Sequence, residues 1–331
     1  VKAGDVIAQS QGFVSSNIHS SVSGTVAKID QVIDTSGFRK PCVVINVEGD
    51  EWADSIDTSE DLISEITLSP EEIRQKVLEA GIVGMGGATF PSHVKLSVPE
   101  GKEVDTLIIN GVECEPYLTS DHRVMLERAE EMLVGIRILM RALGVDRALI
   151  GVEHNKPDAI AHLKNLVESE EGIEVYGLKV KYPQGGEKQL IKALLDREVP
   201  SGGLPLDVGT VVHNVGTALA VYEAVQKNKP LFERVITVTG KSLSNPLNLM
   251  ARIGTPVRDL IEAAGGLPED TGKVVSGGPM MGKALQSLDV PVVKGTSGIL
   301  VIPRKEAKRT PEMHCIRCSK CVGVCPMGLE P

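Results

Sequence analysis

The chain has 331 residues, 42% apolar and only 3% aromatic, and a formal charge of −9. That length allows two or three domains, and the apolar fraction supplies a core of Val, Ile, Leu and Ala. The acidic balance speaks against a nucleic-acid surface and against binding to anionic lipid; no apolar run nears the roughly 20 residues that span a bilayer, and no secretory signal is visible.

Residues 1–50 alternate in polarity and break at Gly4-Asp5 and Ser23-Gly24, which predicts a small all-β module of short hairpins. The chain starts at Val1 inside that pattern and stops six residues after Cys325, so a longer parent chain is expected. The acidic, irregular stretch 51–68 reads as a linker. Ser69-Pro70-Glu71-Glu72 is a helix start, with Ser69 as N-cap, Pro70 at the first helical position and Glu72 closing a capping box. Thr106–Asn110 reads as a buried strand, Asp121–Leu143 as one long helix stopped by Gly144, and Arg147–Glu153 as the next strand. Strand, helix and strand in that order make a βαβ unit and imply a parallel sheet. Helix 157–168, strand 174–180, helix 187–196, strand 210–215 and helix 216–227 continue the alternation. Residues 69–230 are therefore expected to form an α/β layer domain. From Arg234 the rhythm changes to a strand at 235–240, a short helix after Pro256, and short strands at 273–276, 290–293 and 299–302. One helix on a small mixed sheet predicts a β-grasp-like module over 231–303.

Four of the six cysteines lie in Cys315-Ile-Arg-Cys318-Ser-Lys-Cys321-Val-Gly-Val-Cys325-Pro326. Two-residue gaps in a tight loop let several thiolates reach one cubane, and this run has the bacterial ferredoxin spacing. In two-cluster ferredoxins the fourth cysteine serves the other cluster. Cys315, Cys318 and Cys321 would then hold one 4Fe-4S cluster and Cys325 a second, whose remaining ligands are missing from this chain. The alternatives are free thiols or a structural zinc site, although zinc knots usually separate their CxxC pairs by about a dozen residues or more. Clustered thiols without a secretory context point to a reducing compartment.

Gly81-Ile-Val-Gly84-Met-Gly86-Gly87-Ala-Thr-Phe90 lets backbone N–H groups approach a ligand, as phosphate requires. It follows a helix and lacks the spacing of a Rossmann or P-loop motif; the alternative is a plain turn. Asn110-Gly-Val-Glu113-Cys-Glu115-Pro-Tyr117 sits where a sheet strand ends, the edge where open α/β sheets bind ligands; the alternative is a polar turn with capping carboxylates. Tyr182-Pro-Gln-Gly185-Gly186-Glu187-Lys188 and His213-Asn214-Val-Gly-Thr217 are strand-to-helix turns of the kind that attract anions. All three turns are expected on one sheet edge, converging on one crevice. His19, His93, His122, His154 and His162 show no ligand spacing and read as surface or capped histidines.

In combination, Gly81–Leu96, Asn110–Tyr117, Tyr182–Leu190 and the cysteine run closely resemble the C subunit of the Rnf electron-transport complexes, over nearly the whole chain. That family is related to the FMN- and NADH-binding subunit of complex I. The resemblance implies a multidomain α/β protein: a barrel-sandwich-like β module (1–50), an α/β domain binding FMN and NAD(H) (69–230), a β-grasp ligand-binding module (231–303) and the start of a 4Fe-4S ferredoxin domain (304–331). It implies that Gly84, Gly86, Gly87 and Lys95 surround the flavin and that Asn110, Glu113 and Glu115 bind flavin and nicotinamide groups. Tyr182, Gly185, Gly186, Glu187 and Asn214 would complete the pocket, with Phe90 as a stacking face. Met85 and Val112 stand where complex I carries an Arg and a second acid, which favours the Rnf branch. The turn Ser20–Gly24 has no lysine for a prosthetic group, so a structural role is expected for the first module. Implied partners are the other subunits of a membrane electron-transport complex, with ferredoxin reached indirectly, at the cytoplasmic face of the membrane. The alternatives are a cofactor-poor relay protein, similar to the A subunit of the sodium-pumping quinone reductase, or a flavoprotein similar to cobalamin reductases.

Overall fold

The computed structural model describes residues 1–325 and 327–330. Two antiparallel ribbons open the chain: β1 (Val6–Ala8) with β2 (Ile18–His19), and β3 (Gly24–Ile33) with β4 (Arg39–Val47). Together they make the β module expected from the alternation. Residues 58–68 form no helix or strand. Helix α1 (Pro70–Glu79) starts as read: Ser69 Oγ accepts from Glu72 N at 3.3 Å and the Glu72 carboxylate accepts from Ser69 N at 2.7 Å.

The middle of the chain continues as α2 (Ser92–Leu96), β5 (Thr106–Gly111), α3 (Ser120–Glu127), α4 (Ala129–Leu143), β6 (Ala148–Glu153), α5 (Pro157–Leu166), β7 (Ile173–Leu178), α6 (Glu187–Leu195), β8 (Thr210–Asn214) and α7 (Val215–Gln226). Its four strands form one parallel sheet in the order β7-β6-β5-β8. Leu107, Ile109, Ile150, Ile136, Leu139 and Val221 meet in its main core. Thus β5 is central, and the register pairs Asn110 with Asn214 at the carboxyl edge. The single helix expected over Asp121–Leu143 is two helices broken at Arg128, where φ is −129° and ψ 32°. The Arg128 guanidinium turns to Glu131 (2.6 Å) and to Glu223 on α7 (3.4 Å). The break lets α3 lie against α5 while α4 runs along α7.

The last sheet is mixed: β9 (Glu233–Thr239), β10 (Leu247–Arg252), α8 (Val257–Ala263), β11 (Thr271–Ser276), β12 (Lys283–Ala284) and β13 (Gly298–Pro303), ordered β10-β9-β13-β11-β12. Strands β9 and β13 are parallel, and α8 covers them through Leu260 and Ile261 against Ile236, Val238 and Val301. Residues 290–293, expected as a strand, join no ladder. Pro291 has no N–H to donate, and the segment pairs only with residues 254–257, with Val292 N to Thr255 O at 2.8 Å, before Lys294 reaches Gly81. Strand β10 was not anticipated. Trp52 packs edge-on to Phe232 at 5.1 Å, with Lys229 and Arg252 over the rings, and so joins the first module to the last. Residues 304–325 and 327–330, with the short helices α9 (Arg304–Ala307) and α10 (Lys320–Val324), are mostly exposed. Among the described residues no helix is long and apolar enough to cross a membrane.

Candidate functional site

The carboxyl edge of the parallel sheet brings the predicted turns together. Asn110 Nδ2 donates to Gly185 O at 2.8 Å, which ties the turn after β5 to the turn before α6. Asn214 caps α7, accepting from Gly216 N at 2.9 Å, and donates to the Asp121 carboxylate at 2.6 Å. Lys95 on α2 reaches Glu187 at the start of α6 (2.9 Å) and Val212 O (2.9 Å). Four separate stretches, 84–95, 110–115, 182–187 and 214, are therefore hydrogen-bonded together at one sheet edge. The convergence read from the sequence is the arrangement found.

The glycine loop closes on itself through Gly84 N to Phe90 O at 2.8 Å and Ser92 N to Ile82 O at 3.0 Å. Between these bonds Gly86 to Phe90 are exposed. Gly87 has φ +118°, a left-handed conformation that favours glycine, and nothing lies within 4 Å of where its side chain would begin. Phe90 is 38% exposed at the loop's end. Tyr182 and Gly186 are half-buried.

Two predicted carboxylates point elsewhere. Glu113 caps the start of α3, accepting from Ser120 Oγ (3.1 Å), Asp121 N (3.2 Å) and His122 N (3.3 Å). Loss of water, and next the neighbouring Asp121 charge, push its carboxyl up to about 7. Asp121 is likewise raised by loss of water. Glu115 accepts from the backbone N–H groups of Met280 (3.1 Å) and Met281 (2.7 Å) in the β11–β12 loop. That approach requires glycine at position 278, where a side chain would begin 2.2 Å from the Glu115 carboxylate.

Sequence reading missed Asp121, Arg234 and Lys294, and took Thr217 only as the end of a strand-to-helix turn. Met85 N donates to Thr217 Oγ1 at 2.9 Å and Met85 O accepts from Arg234 at 3.2 Å. No local pattern marks a lone arginine at the start of a strand. His213 was noted only as part of a turn. It is buried, and burial first and the Lys95 charge second push it down to about 3. His19 and His93, read as surface or capped residues, are both buried.

The donor set suits a phosphate-bearing planar cofactor. The loop offers open backbone at Gly86 and Gly87, and Lys95 supplies a cation beside it. Ser92 Oγ and His213 Nε2, on elements flanking the loop, are buried without a hydrogen-bond partner among the described residues.

The four clustered cysteines are free thiols; Cys315, Cys318 and Cys321 are exposed and Cys325 is half-buried. Backbone N–H groups of Arg317 and Leu329 point at Cys315 Sγ and Cys325 Sγ, both at 3.4 Å. Arg317 and Ser319, both within the run, have φ 55°. The donors are those an iron–sulfur cluster uses, but among the described residues no three His, Cys, Asp or Glu side chains are gathered to hold a metal ion.

Comparison with known proteins agrees with this layout. The profile of the Nuo51 FMN-binding domain matches residues 77–223, that of the SLBB domain residues 235–284, and that of the RnfC barrel sandwich hybrid domain residues 1–50. The class is thus a component of an oxidoreductase complex, with a domain like that of the complex I flavin subunit. The chain is 48% identical over 332 residues to the C subunit of the proton-translocating ferredoxin:NAD(+) oxidoreductase complex of Clostridium ljungdahlii, covering all of this chain and 72% of that protein. It is 47% identical to the C subunit of the Na(+)-translocating ferredoxin:NAD(+) oxidoreductase complex of Acetobacterium woodii, covering all of this chain and 76% of that one. For the C subunit of the ion-translocating oxidoreductase complex of Rhodobacter capsulatus the identity is 43%, with 64% of that protein covered. The chain belongs to the family of Rnf complex C subunits. An NAD+-reducing NiFe hydrogenase shares the fold, with a TM-score of 0.60 and 24% identity over 72% of this chain and 47% of its own.

Proposed function

We propose that this chain is the NAD(H)- and FMN-binding electron-transfer subunit of a membrane-associated Rnf-type complex. One observation carries the reading: the exposed Gly86–Gly87 backbone, Lys95 and Asn214 come from three separate elements to the sheet edge where α/β folds bind ligands. FMN, when bound, supplies the exchange between hydride and single electrons. Loop N–H groups and the Lys95 ammonium would hold its phosphate or ring oxygens. The Asn110–Gly185 bond keeps the turns of residues 110–115 and 182–187 in register. Glu187 would hold Lys95 in place, and Phe90 would offer a stacking face to nicotinamide.

Cys315, Cys318 and Cys321 would hold one 4Fe-4S cluster, with Cys325 serving a second in a longer chain. Partners would be the other subunits of the complex, with ferredoxin reached through them, and the place would be the cytoplasmic face of the membrane. This reading is supported by the spacing, by the N–H groups aimed at two of the sulfurs, and by relatives named as subunits of ferredoxin:NAD(+) oxidoreductase complexes.

A second reading, a relay protein without flavin, is favoured by the fact that Asn110, Glu113, Glu115 and Asn214 are all committed to internal hydrogen bonds. Anaerobic reconstitution with FMN separates the two. Flavin bound at micromolar concentration and bleached by NADH is the result expected, with affinity lowered about tenfold or more in Lys95→Met, as for loss of one charged hydrogen bond. A folded protein that takes up no FMN leaves the relay reading standing.

A further inference from the structure

Two buried cations of the β-grasp module reach under the glycine loop. Arg234 is 3% exposed and Lys294 8%. Neither makes an ion pair among the described residues; both donate almost entirely to backbone carbonyls. Lys294 Nζ bonds Gly81 O at 2.6 Å, where the glycine run begins, and Asn17 O of the first module at 2.7 Å, with Ser16 Oγ at 3.3 Å. Arg234 bonds Met85 O at 3.2 Å inside the run, and also Lys294 O. From the other side, Thr217 on α7 accepts the Met85 N–H at 2.9 Å. Met85 is thus pinned at both of its backbone polar groups, in the middle of a loop whose next residues are exposed.

That pinning has a directional consequence. In a trans peptide the carbonyl of one residue and the N–H of the next point opposite ways. Drawing Met85 C=O inward to a guanidinium turns the Gly86 N–H outward, toward the crevice. A charged partner on the carbonyl also polarises the peptide and strengthens its N–H as a donor. Burying an arginine and a lysine without a direct ion pair is costly: Asp121 and Glu113 favour the Arg234 charge only from a distance, against its loss of water, and Lys294 is pushed down to about 7 by burial. A plain domain contact would be made more cheaply with apolar residues.

We propose that Arg234 is a positioning residue for the cofactor loop: with Thr217 it fixes the Met85–Gly86 peptide so that Gly86 N–H is presented to an anionic or carbonyl oxygen of the bound cofactor. The β-grasp module thereby sets the affinity of a site built mainly by the α/β domain. This inference rests on the FMN reading above.

The experiment is titration of the purified apo chain with FMN, followed by flavin fluorescence quenching, alongside thermal melts. Arg234→Met and Thr217→Val are each expected to raise the Kd for FMN about tenfold to a hundredfold, the loss of a hydrogen bond that orders a donor. Arg234→Lys should recover part of that loss. Thr237→Val is the control. It removes the acceptor for Thr119 N–H (3.0 Å) and the donation to Asn248 (2.8 Å), bonds that hold the same two modules together without touching a residue of the loop, and should leave the Kd within about twofold. Thr217→Val keeps the inference testable if Arg234→Met does not fold. Wild-type FMN binding with unchanged affinity in Thr217→Val and Arg234→Met overturns the inference and leaves the FMN reading intact. Equal losses in Thr237→Val overturn it too, in favour of general domain docking. Failure of the wild type to bind FMN overturns both.

Discussion

Single residues in this crevice carry opposite pH signatures. Glu113 titrates near 7 in the folded chain and at 4.5 ordinarily, because its carboxyl has lost water and faces Asp121. Between those values the native state holds the proton that the unfolded state has released, so Glu113 makes stability fall as pH rises from 4.5 to 7. Glu113→Gln is expected to remove that slope, read as the difference in melting temperature between variant and wild type across the window. The buried histidines act the other way. His19 is pushed down to about 4 and His213 to about 3, against an ordinary 6.5. The unfolded state therefore takes up protons first as pH falls, and stability contributed by the neutral rings is lost from 6.5 downward. His213→Leu should flatten the acid limb of urea unfolding between pH 6.5 and 4; an unchanged limb would show that His213 stays solvated. At this scale the sequence showed the donors but not their orientation. Asn110 and Asn214 were legible because strand ends mark the binding edge, whereas Lys95 came only with the family resemblance. The turning of Glu113 onto a helix start was not, since a carboxylate seven residues before Ser120 carries no local signal of which N–H it will meet.

Elements were legible where the local chemistry was strong. The α1 capping box was read residue for residue, and its loss through Ser69→Ala should cost about 1 kcal/mol in denaturant unfolding, the usual worth of an N-cap. The alternation of strands and helices gave the parallel sheet, and its convergent turns followed from that topology. Reading failed where tertiary packing decided. The Asp121–Leu143 stretch has continuous helical periodicity, yet Arg128 breaks it so that the two halves can pack on different partners. Residues 290–293 are apolar enough for a strand but lack the N–H of Pro291 and pair only briefly, with residues 254–257. The β11–β12 loop is a further case: its role depends on Glu115, more than 160 residues earlier in the chain. Gly278→Ala would push its new methyl into Glu115 and cost about 1–3 kcal/mol, the penalty of overpacking. The expected sign is a lower melting temperature with Glu115 released; a melt equal to wild type would show that the loop is not held there.

On the scale of the whole molecule, three modules meet around one crevice while the cysteine segment extends from the last of them. The two-cluster reading makes a graded prediction. After anaerobic reconstitution, Cys315→Ser, Cys318→Ser and Cys321→Ser should each abolish bound iron and sulfide, while Cys325→Ser should retain most of it; equal losses in all four would mean one four-thiolate cluster. Domain order was readable because each module has its own periodicity. The seams were not, because they are made by isolated side chains such as Arg234, Lys294 and Trp52. The last of these has a practical consequence. Trp52 is the chain's single tryptophan, and it sits at the seam between the first and last modules, against Phe232 and under two cations. Its emission is therefore a label-free optical gauge of that seam. Undocking would shift the emission to the red, and a flavin in the crevice would dim it by energy transfer, so one chromophore already in the sequence can report both assembly and loading.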